Sequence, residues 1–442
     1  MFRWAGAGLL LAILANVAVA NPTAGVAVAI FFLSLLGDLR RLLIPFTGWS
    51  PNDPLLLVAP AFALFLILLP GSRRLRVDTP LSRWIFALMM LMAVQTLNPL
   101  QGNLTVGYAG ALFYIVPLFW YWIGRAHATT ALMSTIFSRV VVPVAVAAAL
   151  LGIYQTYVGF LPFEQAWLDT AGYVALNVGG VVRAFSFFPS ASEYAGYLAV
   201  ALVVIWSGCL QGRRAAVVVA PLLAAALFLE SSRTIILLLL FTFCVMWAVQ
   251  GKRRSIWMPR LAYSLCLALL GLAWGLVTIQ EGDYFAHPAH AGLIEHQVAG
   301  LLNPLHPEKS TGMAHLEMAA DGLSAMATHP LGYGLGATTP AALKYGGHLR
   351  SAEVDLVNVF LSLGIFGGLA YALIMLQTFA LAAHYWSITR SPLALTLLGV
   401  LIIQLGGWLQ GGHYALSALD WLCIGALDRF DSEEVEEALL RR

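Results

Sequence analysis

Long apolar segments recur along the whole chain and are separated by short polar turns. Most of them approach the roughly 20 residues that an α-helix needs to cross the hydrocarbon core of a bilayer. They are apolar all round, as helices surrounded by lipid and other helices are, and they lack the short alternating runs of a transmembrane β-barrel. The pattern predicts an all-α fold, a polytopic transmembrane helical bundle. The segments lie near 4–20, 23–37, 54–70, 84–97, 105–124, 140–158, 191–210, 215–230, 234–249, 261–279, 354–383, 394–410 and 414–427.

The amino-acid composition supports a membrane protein. Hydrophobic residues make up 60% of the 442 residues and charged residues only 10%, whereas a soluble domain carries roughly 25% charged residues. The net charge of +2 is too small to indicate a nucleic-acid partner. The four cysteines all fall inside apolar segments at unrelated spacings, so we expect buried thiols with no disulfide framework.

The distribution of Lys and Arg among the turns predicts the orientation. Basic turns alternate with turns that are poor in Lys and Arg, and the basic ones should all face the cytoplasm. The turns near 98–104, 159–190, 280–352 and 411–413 then lie outside, and the tail 428–442 lies inside. The basic turns contain Arg73, Arg74, Arg76, Arg83, Arg125, Arg139, Arg213, Arg214, Lys252, Arg253, Arg254, Arg260 and Arg390.

The N-terminal region does not follow this alternation. Arg40 and Arg41 fall on the outer side if the third segment runs inward. Either the N-terminus is outside, or one of the first two segments does not span, or residues 1–20 are a signal sequence that is cleaved after Ala18-Val19-Ala20. We expect about 12 spans with both termini in the cytoplasm. The chain then divides into four parts. Residues 1–279 form the N-terminal transmembrane helices and include an outer loop at 159–190. Residues 280–352 form a large periplasmic loop, 353–427 the C-terminal transmembrane helices and 428–442 a cytoplasmic tail.

The loop 280–352 is too long for a structureless connection and favours a functional lid, with a helix at 312–328. It holds seven of the ten histidines, but none is spaced as in a known metal site, so no metal or other cofactor is expected. His315, His348 and Arg350 are candidate substrate contacts instead. The glycine-rich run 329–336 allows the backbone to approach a ligand closely.

Two arginines lie on the outer side, where basic residues are scarce. Arg183 precedes a span, and Arg233 lies in a tight turn between two apolar segments. An arginine at the membrane edge needs a partner or water, because burying its charge is costly. Each could form a structural ion pair with Glu193 or Glu230. Alternatively, the two together bind an anionic ligand such as phosphate, which guanidinium groups bind bidentately.

Two carboxylates stand where the large loop re-enters the membrane. Glu353 and Asp355 open the next helix, and Asn358 follows on it. Acids at a helix N-terminus often serve only to complement the helix dipole. A partly desolvated carboxylate can also act as a general base, and Glu353 and Asp355 are therefore our candidate catalytic residues.

Four pieces of the sequence, in order, resemble the bacterial O-antigen ligase and polysaccharide polymerase superfamily. Each piece is a weak signal, but the ordered set spans about residues 180–410, and the first half of the chain is similar only as generic spans. The pieces are Arg183 to Leu198, Ser232-Arg233-Thr234, His329 to Gly336, and Ser351 to Gly368.

The resemblance implies a membrane-embedded, GT-C-like glycosyltransferase of the bacterial inner membrane that is active on the periplasmic face without a metal. Such enzymes transfer a glycan from an undecaprenyl-diphosphate donor to a lipid-core or glycan acceptor, and they work with chain-length regulators and export proteins. The resemblance therefore implies that Arg183 and Arg233 bind the diphosphate. The family usually has His-Asn at the position of Glu353-Val354, and this departure favours an O-antigen or exopolysaccharide polymerase over a lipopolysaccharide ligase.

Two other functions remain open at this stage. A transporter or flippase for a lipid-linked glycan would also use arginines, but it would place charges or broken helices near mid-membrane. A non-catalytic assembly subunit on the same scaffold is the other alternative.

Overall fold

The computed structural model describes residues 2–69, 76–171, 177–178, 181–213, 215–282, 288–304, 306, 312–351, 354–409 and 412–440. Most of them are helical, and the sheet found among these residues is the short antiparallel hairpin of β1 (Asn177–Val178) and β2 (Val181–Val182). The α-helices are α1 (Phe2–Ala20), α2 (Pro22–Leu42), α3 (Ile44–Thr47), α4 (Val58–Leu68), α5 (Pro80–Gln95), α6 (Leu104–His127), α7 (Thr130–Thr135), α8 (Val142–Tyr157), α9 (Pro162–Ala171), α10 (Ala191–Leu210), α11 (Ala220–Glu230), α12 (Arg233–Val249), α13 (Trp257–Glu281), α14 (Pro288–Leu302), α15 (Gly312–Thr328), α16 (Ala341–Lys344), α17 (Asp355–Thr389), α18 (Pro392–Ile403) and α19 (Tyr414–Leu440).

The predicted all-α helical bundle is confirmed, and its apolar helices support a membrane protein. Within the described ranges, seven helical segments are long and apolar enough to cross a bilayer, namely Phe2–Ala20, Pro22–Leu42, Leu104–His127, Thr130–Tyr157, Ala191–Leu210, Arg254–Glu281 and Asp355–Thr389. Five more apolar helices are shorter: Pro54–Leu68, Pro80–Gln95, Ala216–Glu230, Arg233–Val249 and Pro392–Ile403. The total of about 12 spans stays a prediction.

The turns that are poor in Lys and Arg meet at one end of the bundle, which we call the loop face. Lys344 Nζ donates to Pro51 O (3.2 Å), Asn98 Nδ2 donates to Gly332 O (3.1 Å), and Arg40 Nη1 donates to Tyr414 Oη (2.9 Å). These bonds join turns that are hundreds of residues apart in sequence. The grouping of the turns therefore follows the predicted alternation.

The basic turns meet at the opposite end, which we call the basic face. The guanidinium of Arg125 forms ion pairs with Asp78 (2.6 Å) and Asp428 (2.9 Å), and Arg390 Nη1 donates to Val249 O (2.8 Å). Which face meets the cytoplasm stays a prediction from the charge rule.

The expectation that both termini lie on one side is wrong. Arg3 forms an ion pair with Asp53 and donates to Gly48 O (2.7 Å), so α1 begins at the loop face. Asp428, near the end of α19, lies at the basic face with Arg125. α1 ends at Ala20 and α2 begins at Pro22, and the two helices pack against each other.

Close contact between backbones holds the central helices together. A Cβ on Gly425 of α19 would come within 2.0 Å of Tyr121 O, and one on Gly124 of α6 within 2.5 Å of Leu422 O. Small residues at such contacts let membrane helices approach closely where lipid makes the hydrophobic effect weak. In contrast, α13 lies at the periphery, where Leu276 is the one buried residue of this described helix.

The glycine-rich run of the large loop is built into a break in α17. Gly364 has φ of +71° and interrupts the helix, so the carbonyls of Leu361 and Ser362 accept bonds from Tyr333 N (2.8 Å) and Gly334 N (3.1 Å). A Cβ on Gly364 would lie 2.2 Å from Pro330 O. The run, expected to approach a ligand, thus approaches another stretch of backbone, and its glycines are required for packing.

Candidate functional site

The turn between α11 and α12 brings Glu230 and Arg233 to the loop face. Glu230 ends α11, and Ser231 has a left-handed φ of 72°, which stops the helix in a single residue. Ser232 is extended, and Arg233 is the first residue of α12. Two apolar helices joined this tightly must reverse direction at the membrane edge, so the acid and the base both lie there.

Arg183 reaches the same turn from a segment 47 residues earlier. It directly follows β2, and its guanidinium forms an ion pair with the Glu230 carboxylate, whose side chain is fully buried. Its Nε also donates to Glu230 O (3.0 Å). Of the two acids considered from sequence, Glu230 is therefore the partner of Arg183.

Glu193, the other acid considered, has a different task. Its Oε1 accepts from Ala415 N (2.6 Å) and Leu416 N (3.1 Å), the first amides of α19. These donors have no partner within their own helix, so a carboxylate supplied by α10 satisfies them. Glu193 thus joins α10 to α19.

Arg233 contacts the large loop through α14. Its Nη2 lies 3.0 Å from His296 Nε2, and its guanidinium packs so tightly on Gly300 that a Cβ there would overlap it. Burial, followed by the charges of Arg233 and Arg183, lowers the pKa of His296 below its ordinary 6.5. His296 is therefore uncharged at neutral pH, and its Nε2 accepts the hydrogen bond from Arg233.

Two guanidinium groups and one carboxylate meet at this site. The charges of Arg183 and Arg233 act on each other, and Glu230 forms an ion pair with Arg183. We call Arg183, Arg233, Glu230 and His296 the arginine site. Two guanidinium groups with several N–H donors on one face are suited to an oxyanion such as phosphate.

The large loop covers the arginine site with α14. Ser231 Oγ donates to Gln297 Oε1 (3.2 Å), and Ile294 and Val298 pack beside Phe228 of α11. Sequence reasoning did not single out His296 or Gln297 as part of a site. The spacing of His296 and Gly300, four residues apart on one helix, was the only available signal that both face the same neighbour.

Asp355, one of the two candidate catalytic carboxylates, has no described contact with the arginine site. Glu353 lies outside the described residues. Asp355 is buried, accepts from Leu409 N (2.6 Å) and lies 3.5 Å from Tyr371 Oη. These bonds connect the start of α17 to the turn that follows α18, which is a structural function.

The remaining candidates lie elsewhere on the loop face. His348 and Arg350 are exposed, and the Arg350 guanidinium stacks 4.2 Å over the ring of Tyr333. His315 belongs to α15, which packs on α17, but its side chain is outside the described part of the chain. No described contact joins these residues to the arginine site.

Arg41 holds the segment after Arg183 in place, a function that its sequence position did not indicate. Its Nη1 donates to Phe188 O (2.9 Å) and its Nη2 to Ser186 O (2.8 Å), and the guanidinium lies 4.4 Å from the ring of Phe185. The side chain is almost fully buried. This basic residue, which broke the charge pattern, thus positions the backbone that carries Arg183.

Metal ligands do not cluster in the described part of the chain, where no three His, Cys, Asp or Glu side chains come together. Comparison with known proteins identifies no family, because no protein-family model matches the chain and no curated protein is a match either.

Proposed function

We propose that this protein is a membrane glycosyltransferase that polymerises or ligates undecaprenyl-diphosphate-linked glycans at the periplasmic face of the bacterial inner membrane, in O-antigen or exopolysaccharide synthesis. The observation that carries the proposal is the arginine site. Arg183 and Arg233 come from separate segments to one point on the loop face, and α14 of the large loop lies over them.

The chemistry of the donor explains why two arginines would be needed. When an acceptor hydroxyl attacks the anomeric carbon of the donor sugar, the bond from that carbon to the diphosphate oxygen breaks. The departing lipid diphosphate takes the electron pair and gains negative charge. Guanidinium groups at a site from which water is partly excluded stabilise that charge, and such stabilisation is often the largest contribution to catalysis.

The acceptor hydroxyl must also lose its proton. We assign this step to the Glu353 carboxylate, because the resemblance puts it at the position of the family's usual base. General-base assistance typically contributes about 10²–10⁴-fold. Asp355, bound to Leu409 N, would hold the start of α17 and so position its neighbour.

The test is synthesis by the purified protein in proteoliposomes supplied with carrier-linked repeat units. Conversion of the units into longer chains is expected, with loss of product in Arg233→Ala and in Glu353→Gln. Arg254→Ala is the matched control, because that exposed arginine lies at the basic face. Full chain length in Arg233→Ala would overturn the proposed use of the arginine site.

A lipid-linked glycan transporter is the second candidate, because two features of the bundle favour it. α17 is broken at Gly364, and Asp420 of α19 is fully buried with neither carboxylate oxygen bonded to any described residue. Broken helices and buried charges are typical of transport sites. The same proteoliposomes would then move labelled glycan across the membrane without lengthening it, and a non-catalytic subunit would do neither.

A further inference from the structure

An apolar cavity opens in the side of the bundle between α2, α4, α6 and α19. Its volume is about 170 Å³, and no residue of the arginine site lines it. Leu57 and Leu112 stand at its opening, and Trp120 lies within it eight residues further along α6. At 1.5 Å per residue, that stretch of α6 is about 12 Å long.

The opening of the cavity is continuous with the surface that lipid covers. Leu57 and Leu112 are 42% and 49% exposed, and Leu112 belongs to one of the helices long and apolar enough to span the membrane. Deeper in the cavity, Leu33, Ala59 and Trp120 are buried. A hydrocarbon chain from the surrounding bilayer can therefore enter sideways without crossing a polar barrier.

The end of the cavity towards the loop face is polar but uncharged. His413, Tyr414 and Ser417 line it, and the hydroxyl of Tyr414 already accepts a hydrogen bond from Arg40. His413 is only 7% exposed, and its buried Nδ1 has no hydrogen-bond partner among the described residues. The imidazole ring forms part of the cavity wall and can hydrogen-bond to a ligand atom that enters the cavity.

The state of His413 restricts what that ligand atom can be. Burial lowers the pKa of His413 to about 4, so the imidazole is neutral and has one N–H and one free lone pair. A neutral imidazole in an apolar wall suits an uncharged oxygen, such as an ester carbonyl. It does not offer the positive charge that a phosphate would require.

We propose that this cavity binds one acyl chain of a membrane phospholipid, with the ester carbonyl hydrogen-bonded to His413 and the chain lying along Leu112 and Trp120. The apolar walls match the methylene chain, and the single uncharged polar end matches the ester. The bound lipid would pack between α4 and α6 and contact the start of α19. The proposal does not depend on the proposed enzymatic function.

The experiment uses the full chain in bilayers that contain a phospholipid with a photoreactive diazirine in its acyl chain. After irradiation, peptide mass spectrometry should find adducts along 112–120 and 413–418. Leu57→Trp, at the partly exposed opening, and Ala59→Phe, inside the cavity, should each abolish these adducts. Leu270→Trp on the exposed surface of α13 is the matched control and should leave them unchanged.

A second readout tests the polar end. The wild type should label more strongly with an ester-linked lipid than with its ether-linked analogue, and His413→Phe should remove that preference. Adducts that persist in Leu57→Trp, or that are absent from 112–120 in the wild type, would overturn the proposal. The proposal would also be overturned if a long isoprenoid alcohol displaced the photoreactive lipid at concentrations at which unlabelled phospholipid does not.

Discussion

The ion pair between Arg183 and Glu230 allows a structural function to be separated from a catalytic one. Arg183→Leu removes the charged partner of a fully buried carboxylate. Arg183→Leu combined with Glu230→Leu removes both charges and leaves two apolar side chains in their place. If Arg183 is only a clamp, the double variant should recover everything that the single variant loses.

The structure supplies the expected magnitudes. Leaving one partner of a buried ion pair alone typically costs roughly 3–5 kcal/mol, and the lower end applies because the Arg183 side chain is 17% exposed. The single variant should therefore lose about 3 kcal/mol of stability. Replacing both partners by apolar residues is often neutral or stabilising, but the bond from Arg183 Nε to Glu230 O is also lost, at about 1 kcal/mol. The double variant should thus unfold within about 1 kcal/mol of the wild type.

Two measurements on the same preparations give the answer. Denaturant unfolding in detergent reports stability, and chain synthesis in proteoliposomes reports activity. We expect the double variant to regain stability and to remain roughly 100-fold or more below wild-type activity, as after removal of one donor that stabilises a developing oxyanion. Recovery of both stability and chain synthesis in the double variant would refute the assignment of Arg183 to the diphosphate.

Three further predictions concern other parts of the molecule. Gly364→Ala should destabilise the protein by about 2–6 kcal/mol, because its backbone conformation suits glycine and the new Cβ would clash with Pro330 O. The control Gly271→Ala, whose Cβ meets nothing within 4 Å, should be neutral or slightly stabilising. Equal unfolding midpoints for the two variants would contradict the break in α17. Arg125→Ala should lower stability by removing the cation that pairs with the buried Asp428 carboxylate, while the chain length of the product stays at the wild-type value. The pKa of His296 is lowered from 6.5 in the folded protein, so on acidification the unfolded chain protonates this histidine first. The free energy of unfolding should therefore fall as the pH drops below about 6.5. His296→Asn should show a shallower fall in unfolding experiments between pH 7 and about pH 5.

The bundle and the grouping of its turns were predictable from the sequence because the signals are local. Whether a segment can cross a bilayer depends on its own apolar residues, and the charge rule acts on each turn separately. Arg125 and Arg390 were assigned to one end on this basis, and their bonds to Asp78 and Val249 do join basic turns. The same rule gave no useful answer for Arg40 and Arg41, because their burial depends on partners such as Phe188 and Tyr414 far along the chain.

The sequence alone predicted a bundle of apolar helices that suits a membrane, with Arg183 and Arg233 on the side that bears the large loop. Only the tertiary structure decided what each arginine contacts. Glu193 is ten residues from Arg183 in sequence, yet it caps α19, and Glu230, 47 residues away, takes the ion pair. The pKa of His296 is lowered by burial, and further by the charges of Arg233 and Arg183, because α14 packs at this site. Charge and hydropathy are properties of each residue by itself. The partner of a charged side chain, the water that it loses on burial and its pKa depend on which distant segments pack around it.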